Sequence, residues 1–112
     1  MSQLDALLVK YTADLKNKCK VTPDADLLKK VAKGLGPSIY NKNSSLVSGS
    51  DKSELNLIKN NFLIKKLGLK DSDALDKAIA EVIDTYGRSN PNKYRVVVYY
   101  LLVKKFGKES VY

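Results

Sequence analysis

The sequence predicts an all-α domain, a compact bundle of about five helices packed around an apolar C-terminal helix. Three observations lead to this prediction. The run Val96–Val103 is apolar throughout and leaves no polar face on a helix, so other helices must surround it. Upstream segments repeat apolar residues at the helical spacing of i, i+3, i+4 and i+7. Glycines and prolines divide the chain into segments of helical length, and we expect residues 1–112 to form a single domain.

The first half of the chain predicts two helices and a long connection. An amphipathic helix over residues 2–19 carries an apolar stripe formed by Leu4, Leu7, Leu8, Tyr11 and Leu15. A second helix begins at the Thr22-Pro23 pair, where two acidic residues follow, and it ends at Gly34 or Gly36. Pro37 can start one further turn. Residues 41–49 are polar and turn-rich apart from Leu46 and Val47, which is typical of a connection.

The second half predicts three more helices. Ser50 or Asp51 caps the third helix, which Gly68 closes, and its buried residues are predicted to be Leu55, Ile58, Phe62 and Leu63. The fourth runs from residues 71–73 to Gly87 and buries Leu75, Ile79, Val82, Ile83 and Tyr86. The fifth runs from Pro91 to about Phe106. Because Val96–Val103 is rich in β-branched and aromatic residues, a buried strand is the alternative.

The absence of a targeting signal and the single cysteine predict a cytoplasmic protein without a membrane partner. No basic stretch followed by an apolar block opens the chain, and no apolar run approaches the roughly 20 residues of a membrane helix. Cys19 is the single cysteine, so it cannot form an intramolecular disulfide. Its neighbours Lys18 and Lys20 can lower the pKa of the thiol and make it reactive, or Cys19 is an ordinary residue at a helix end.

Missing residue types argue against catalysis, so we lean away from an enzyme. The chain has no histidine, which excludes Ser-His-Asp and Cys-His catalysis and disfavours transition-metal sites. The acidic residues Asp71, Asp73 and Asp76 are explained by the dipole of the helix they open, with an ion or catalytic site as the alternative. The segment GLGPSIY at 34–40 lacks the lysine of a phosphate-binding loop. We therefore expect no cofactor and no metal.

Polar and basic residues around the predicted start of the fifth helix form a candidate anion site. The free N–H groups of a helix start, together with a guanidinium, can hold a phosphate or a carboxylate. The candidate residues are Arg88, Ser89, Asn90, Asn92, Lys93 and Arg95. The alternative is that Asn90 only caps the helix, while the charged side chains meet solvent or acids such as Asp84.

A second candidate site rests on charge. The net charge is +8, and no carboxylate interrupts the basic residues between Arg88 and Lys108. Lys104, Lys105 and Lys108 are therefore candidates for contacts with nucleic acid, and Tyr94, Tyr99 or Tyr100 would stack on bases if they were exposed. The alternative is a solvated lysine-rich surface, with these tyrosines in the core because their segment is apolar all round.

Four segments of the chain resemble a family of small bacterial proteins known only as a domain of unknown function. They are TPDADLLKKVAKGLGPSIYN, NFLIKKLGLK, DTYGRSNPNKYR and YYLLVKKFGKESVY, and the last is the most specific. The resemblance covers nearly the whole chain and is least distinctive over residues 41–52. It implies a bacterial, cytosolic, single-domain protein, and it implies no activity, cofactor or catalytic residue.

These observations favour a non-catalytic binding or interaction module that recognises a protein or a small anionic ligand. The absence of catalytic residue patterns beside several possible contact groups supports this hypothesis. The alternative is a basic helical protein associated with nucleic acid through the stretch from Arg88 to Lys108.

Overall fold

The computed structural model describes residues 3–41, 45–47, 51–87, 90 and 93–112, and it confirms the all-α bundle. The α-helices among these residues are α1 (Gln3–Asn17), α2 (Ala25–Leu35), α3 (Lys52–Leu57), α4 (Asp73–Tyr86) and α5 (Arg95–Phe106). Short 3₁₀ helices follow α2 and α5, at Gly36–Tyr40 and Glu109–Val111, and a π-helix at Ile58–Lys66 continues α3. Within the described part of the chain, no helix has both the length and the apolar character needed to cross a membrane.

Capping side chains define the starts of α2 and α3. The Asp24 carboxylate accepts hydrogen bonds from the N–H groups of Asp26 and Leu27, at 3.0 and 3.3 Å. The Asp51 carboxylate accepts one from the N–H of Ser53 at 2.9 Å, which selects Asp51 over Ser50 as the cap of α3. Such caps typically stabilise a helix by about 1 kcal/mol, so both starts are encoded locally.

Helix α5 is the centre of the bundle, as the sequence predicts. Every residue of Val96–Val103 is buried, and α5 packs against α1, α2 and α4. The ring of Tyr99 stacks on Phe62 of the π-helix with the ring centroids 4.0 Å apart. The Tyr100 hydroxyl accepts a hydrogen bond from the N–H of Asp24 at 2.7 Å, which joins α5 to the start of α2. The alternative of a buried strand is wrong, because this run is helical throughout.

The start of α5 differs from the prediction. The helix begins at Arg95 rather than at Pro91, which lies outside the described residues. Tyr94 has an extended backbone, with φ −65° and ψ 132°, and pairs with Leu46 in an isolated antiparallel bridge. We call this pairing the 46–94 bridge.

Two backbone hydrogen bonds hold the 46–94 bridge. The N–H of Val47 donates to the carbonyl of Lys93 at 2.7 Å, and the N–H of Arg95 donates to the carbonyl of Ser45 at 2.8 Å. Both bonds require an extended chain at residue 94, so the helix cannot begin before it. A contact between segments far apart in sequence therefore sets the start of α5.

The third predicted helix changes from α to π geometry at Ile58. An α-helix that buries Ile58 and Phe62 would bring Lys66 toward the core at the next step of four residues, and would turn Leu67 away. In the π-helix the hydrogen bonds span five residues, as from the Leu67 N–H to the Phe62 carbonyl at 3.0 Å. The wider turn buries Leu67 and leaves Lys66 exposed.

Candidate functional site

The predicted anion site lies only partly within the described residues. Arg88, Ser89 and Asn92 lie outside them, whereas Asn90, Lys93 and Arg95 lie inside. Lys93 is 4% exposed, and its ammonium group donates a hydrogen bond to the backbone carbonyl of Asn90. The basic side chain nearest the predicted helix start is therefore turned into the protein.

Arg95 connects three segments of the fold. Its guanidinium forms an ion pair with Glu54 of α3, and both side chains are largely buried. It also donates to the Leu46 carbonyl and to the Tyr99 hydroxyl, each at 3.3 Å. Burial opposes the charge of Arg95, but its bonds to Tyr99 and Glu54 leave its pKa above the ordinary value. These contacts assign Arg95 a part in holding the 46–94 bridge against α3 and α5.

The first turn of α5 is not open to solvent. The N–H of Arg95 is bonded to Ser45 across the bridge, and Val96 and Val97 are buried. A helix start binds an anion through exposed N–H groups. In α5 the Arg95 N–H is already bonded and the next two residues are buried, so the predicted anion site does not form at the surface within the described residues.

The nucleic-acid candidates lie at the other end of α5. Lys104 and Lys105 are exposed, and Lys105 forms an ion pair with Glu81 of α4. Lys108 is half-buried just beyond the helix. Tyr99 and Tyr100 are buried, as expected for core residues, and the structure gives them no face on which a base could stack.

Cys19 lies in the core of the fold. Cys19 is 6% exposed, and burial, followed by the Asp14 carboxylate, raises the pKa of its thiol to about 11. Its thiol therefore holds its proton at neutral pH, which favours the unreactive interpretation.

The acidic residues around the start of α4 pair with a lysine. Lys59 lies 3.0 Å from a carboxylate oxygen of Asp71 and 2.9 Å from one of Asp76. No group of three metal-ligating side chains occurs among the described residues.

A pocket of about 410 Å³ opens beside α1, at a place that the sequence did not single out. Three segments distant in sequence surround it: the first half of α1, the 3₁₀ helix after α2, and the two sides of the 46–94 bridge. Its lining residues are Gln3, Ala6, Leu7, Lys10, Ile39, Tyr40, Ser45, Leu46 and Tyr94. We call it the α1 pocket.

One face of α1 forms the first wall of the α1 pocket. Gln3, Ala6, Leu7 and Lys10 follow the spacing i, i+3, i+4 and i+7, which places them on one side of the helix. The small Ala6 side chain leaves space at the middle of this wall. The polar side chains of Gln3 and Lys10 therefore lie at the two ends of this wall, and Ala6 and Leu7 form a short apolar floor between them.

The opposite wall is apolar and aromatic. Ile39 and Tyr40 come from the 3₁₀ helix, and Leu46 and Tyr94 come from the bridge. Ile39 is buried, whereas Tyr40 is 48% exposed and has no aromatic partner among the described residues. The bridge is the element that brings Leu46 and Tyr94 to this wall, so the pocket exists only in the folded chain.

Tyr11 lies behind the Tyr94 side of the pocket. Its ring meets the ring of Tyr94 edge-on, with centroids 5.2 Å apart and planes at 67°. Tyr11 is fully buried, and its hydroxyl has no hydrogen-bond partner among the described residues. Burial raises the pKa of Tyr11 to about 12, and the nearby Tyr94 and Tyr40 hydroxyls add to the shift. Three phenol groups thus converge on this side of the molecule.

The α1 pocket has a positive electrostatic character. Among the described residues that line it, Lys10 is the only charged one and none carries a carboxylate. Lys10 is exposed and forms no ion pair with the described residues. The charge can therefore meet an anion without first giving up an internal partner.

Sequence reasoning missed this pocket for a physical reason. The sequence pattern places Leu7 in the buried stripe of α1 and predicts a connection over residues 41–49. The available signals were the i, i+3, i+4, i+7 series from Gln3 to Lys10 beside the core stripe, and the apolar pair Leu46 and Val47 inside a polar segment. Neither signal shows which distant segment it meets.

The fold and the pocket define a small all-α domain with a ligand-sized cavity at its surface. The chain belongs to the family described as Protein of unknown function (DUF2853), whose sequence profile matches residues 10–110. The resemblance found in the sequence is thereby confirmed. The matched range includes the pocket residues from Lys10 to Tyr94, and it leaves out Gln3, Ala6 and Leu7. No curated protein matches the chain.

Proposed function

We propose that this protein is a non-catalytic binding module for a small organic anion, which it holds in the α1 pocket. One observation carries the proposal: a pocket of ligand size has, among its described lining residues, a single cation and no carboxylate. Small-molecule sites typically enclose about 300–1,000 Å³ and combine apolar walls with a few polar groups. The α1 pocket has this size and this composition.

The sequence also favours a small anionic ligand, but at the predicted start of the fifth helix rather than at the α1 pocket. An anion at the predicted helix start would have to reach the buried first turn of α5, where Arg95 is paired with Glu54. At the α1 pocket, Lys10 is exposed and unpaired by any described carboxylate. The desolvation of a cation that already has a carboxylate partner is thus avoided.

The lining residues support binding rather than catalysis. The described lining residues include no histidine, aspartate or glutamate that could act as general base, and no such base is present to activate Ser45 as a nucleophile. The amide of Gln3 and the phenols of Tyr40 and Tyr94 serve instead as neutral hydrogen-bonding groups. A ligand held there is recognised and left unchanged.

The proposal is tested by titrating the ¹⁵N-labelled protein with small organic anions such as benzoate and hexanoate, to tens of millimolar, the range of weak single-site affinities. We expect the backbone amide signals of Ala6, Leu7, Lys10 and Leu46 to move together and to saturate. The neutral amide benzamide is the reference for contributions that do not depend on charge.

The matched variants are Lys10→Gln and Lys16→Gln. Both remove one positive charge from α1, but Lys16 does not line the pocket. Lys10→Gln should weaken the binding of anions by about threefold to fivefold, the range that an exposed ion pair allows, whereas Lys16→Gln should leave it unchanged. The proposal is wrong if no anion moves the pocket signals, or if the two variants behave alike.

A further inference from the structure

Two tyrosine rings distinguish the α1 pocket from a purely aliphatic cleft. Tyr40 comes from the 3₁₀ helix and Tyr94 from the bridge, so the rings reach the pocket from separate elements. Tyr40 is about half exposed and makes no ring contact with the described residues. Its aromatic face is thus available to another ring, and face or edge contacts between rings are favourable beyond the area they bury.

The second ring is held in place. The backbone of Tyr94 is fixed by its pairing with Leu46, and its N–H donates to the Tyr86 hydroxyl at 3.2 Å. The buried Tyr11 supports the Tyr94 ring edge-on from behind. A ligand ring that meets Tyr94 therefore meets a preorganised surface, which lowers the entropy lost on binding.

The positions of charge and apolar floor set the shape of the ligand. Ala6 and Leu7 form the floor, and Lys10 follows on the same face of α1, one turn away. An apolar body resting on the floor would thus point its anionic group along α1 toward Lys10. The body must also fit between that floor and the tyrosines.

We infer that the ligand of the α1 pocket is a flat aromatic ring that carries one carboxylate or phosphate group. The inference rests on the proposed function and names the class of anion. The ring contacts Tyr40 and Tyr94, and the anionic group pairs with Lys10. A linear acyl anion would use the apolar floor and Lys10, but it would gain nothing specific from two aromatic rings.

The test compares four probes of similar size, each monitored through the amide signals of the pocket. Benzoate has the ring and the charge, cyclohexanecarboxylate has the charge without a flat ring, hexanoate is a linear anion, and benzamide has the ring without the charge. We expect benzoate to bind about fivefold more tightly than cyclohexanecarboxylate, which is the scale of a single aromatic contact. Hexanoate and benzamide should also bind more weakly than benzoate.

The variant Tyr40→Leu tests whether the preference for benzoate depends on the Tyr40 ring. Tyr40 is exposed, so the substitution should leave the fold intact. It should weaken benzoate binding to the level of cyclohexanecarboxylate and change cyclohexanecarboxylate binding little. Phenyl phosphate in place of benzoate shows whether a phosphate serves as well as a carboxylate, and either result agrees with the inference if the Tyr40 effect is kept.

Each contrary outcome has a separate meaning. Equal binding of benzoate and cyclohexanecarboxylate, tighter binding of hexanoate, or a benzoate preference that survives Tyr40→Leu overturns the inference of a flat ring and leaves the proposed function standing. Equal binding of benzamide and benzoate overturns the requirement for charge, and with it both the inference and the proposed function. If none of the anions moves the pocket signals, both the inference and the proposed function are wrong.

Discussion

Two buried tyrosines near Tyr94 have opposite hydrogen-bonding environments. The Tyr86 hydroxyl donates to the Asp14 carboxylate of α1 and accepts the N–H of Tyr94 at 3.2 Å. The Tyr11 hydroxyl has no partner among the described residues, although Tyr11 is fully buried. An unpaired buried hydroxyl costs desolvation energy without compensation, whereas a paired one joins the elements that hold its partners.

This contrast predicts different effects of the same substitution. Tyr11→Phe should leave the free energy of unfolding unchanged or raise it by up to about 1 kcal/mol, because the lost hydroxyl leaves nothing unpaired. Tyr86→Phe should lower it by about 1–3 kcal/mol, because it removes the hydroxyl that bonds to both the Asp14 carboxylate and the Tyr94 N–H. Urea unfolding of the two variants beside the parent measures both changes. Equal destabilisation by the two substitutions would contradict the difference between the two hydroxyls.

At the level of single elements, the π-helix changes which residues are buried. Its wider turn brings Leu67 into the core behind Phe62 and Leu63, while Lys65 and Lys66 stay at the surface. The stack of Phe62 on Tyr99 then joins this helix to α5. A residue pattern that is irregular for an α-helix is therefore regular for the helix that forms.

Leucine truncations test this register. Leu67 is 3% exposed, so Leu67→Ala should lower the free energy of unfolding by about 2–4 kcal/mol. The matched control is Leu57→Ala in α3, where the side chain is 52% exposed and the change should stay within about 0.5 kcal/mol. Chemical unfolding gives both values. If the two substitutions cost the same small amount, the helix continues in α geometry past Ile58.

At the scale of the whole molecule, several acidic protons are held more tightly in the folded state than in the unfolded chain. Burial raises the pKa of the Cys19 thiol to about 11, and it raises the pKa of Tyr11 and of Tyr112 to about 12. The pKa of Tyr86 is also raised, by burial and then by its bond to Asp14. In each case the neutral, protonated form is the one that fits the fold.

The raised pKa values predict unfolding at alkaline pH. The ordinary pKa values are 9.0 for the thiol and 10.0 for the phenols, so the unfolded chain releases these protons first as the pH rises. Stability is complete below about pH 9 and should be lost progressively toward about pH 12, because the unfolded state then binds fewer protons. The urea midpoint, followed against pH together with tyrosinate absorbance, measures this loss.

The urea midpoint near neutral pH is the reference for the alkaline loss of stability. The chain has no histidine, so we expect the urea midpoint to change little between about pH 6 and 8. A midpoint that stays constant up to about pH 12 would contradict the assignment of these buried protons.

The class of the fold, its central helix and most of its helix ends could be predicted from the amino-acid sequence. These features depend on information within a few residues: the apolar run Val96–Val103, the capping carboxylates of Asp24 and Asp51, and the glycine after α5. Cap hydrogen bonds and apolar periodicity act over one or two turns, so they can be read without knowing the rest of the fold. The family resemblance was also present in the sequence, and it is confirmed.

The start of α5, the residues that the π-helix buries and the pocket beside α1 depend instead on tertiary contacts. The bridge between Leu46 and Tyr94 joins segments far apart in the chain, and it sets the helix start and completes the pocket wall at once. Arg95, a candidate for anion binding in the sequence, is instead paired with Glu54. Such pairings depend on which distant segments pack together in the folded chain. The local spacing of residues carries no information about these long-range partners.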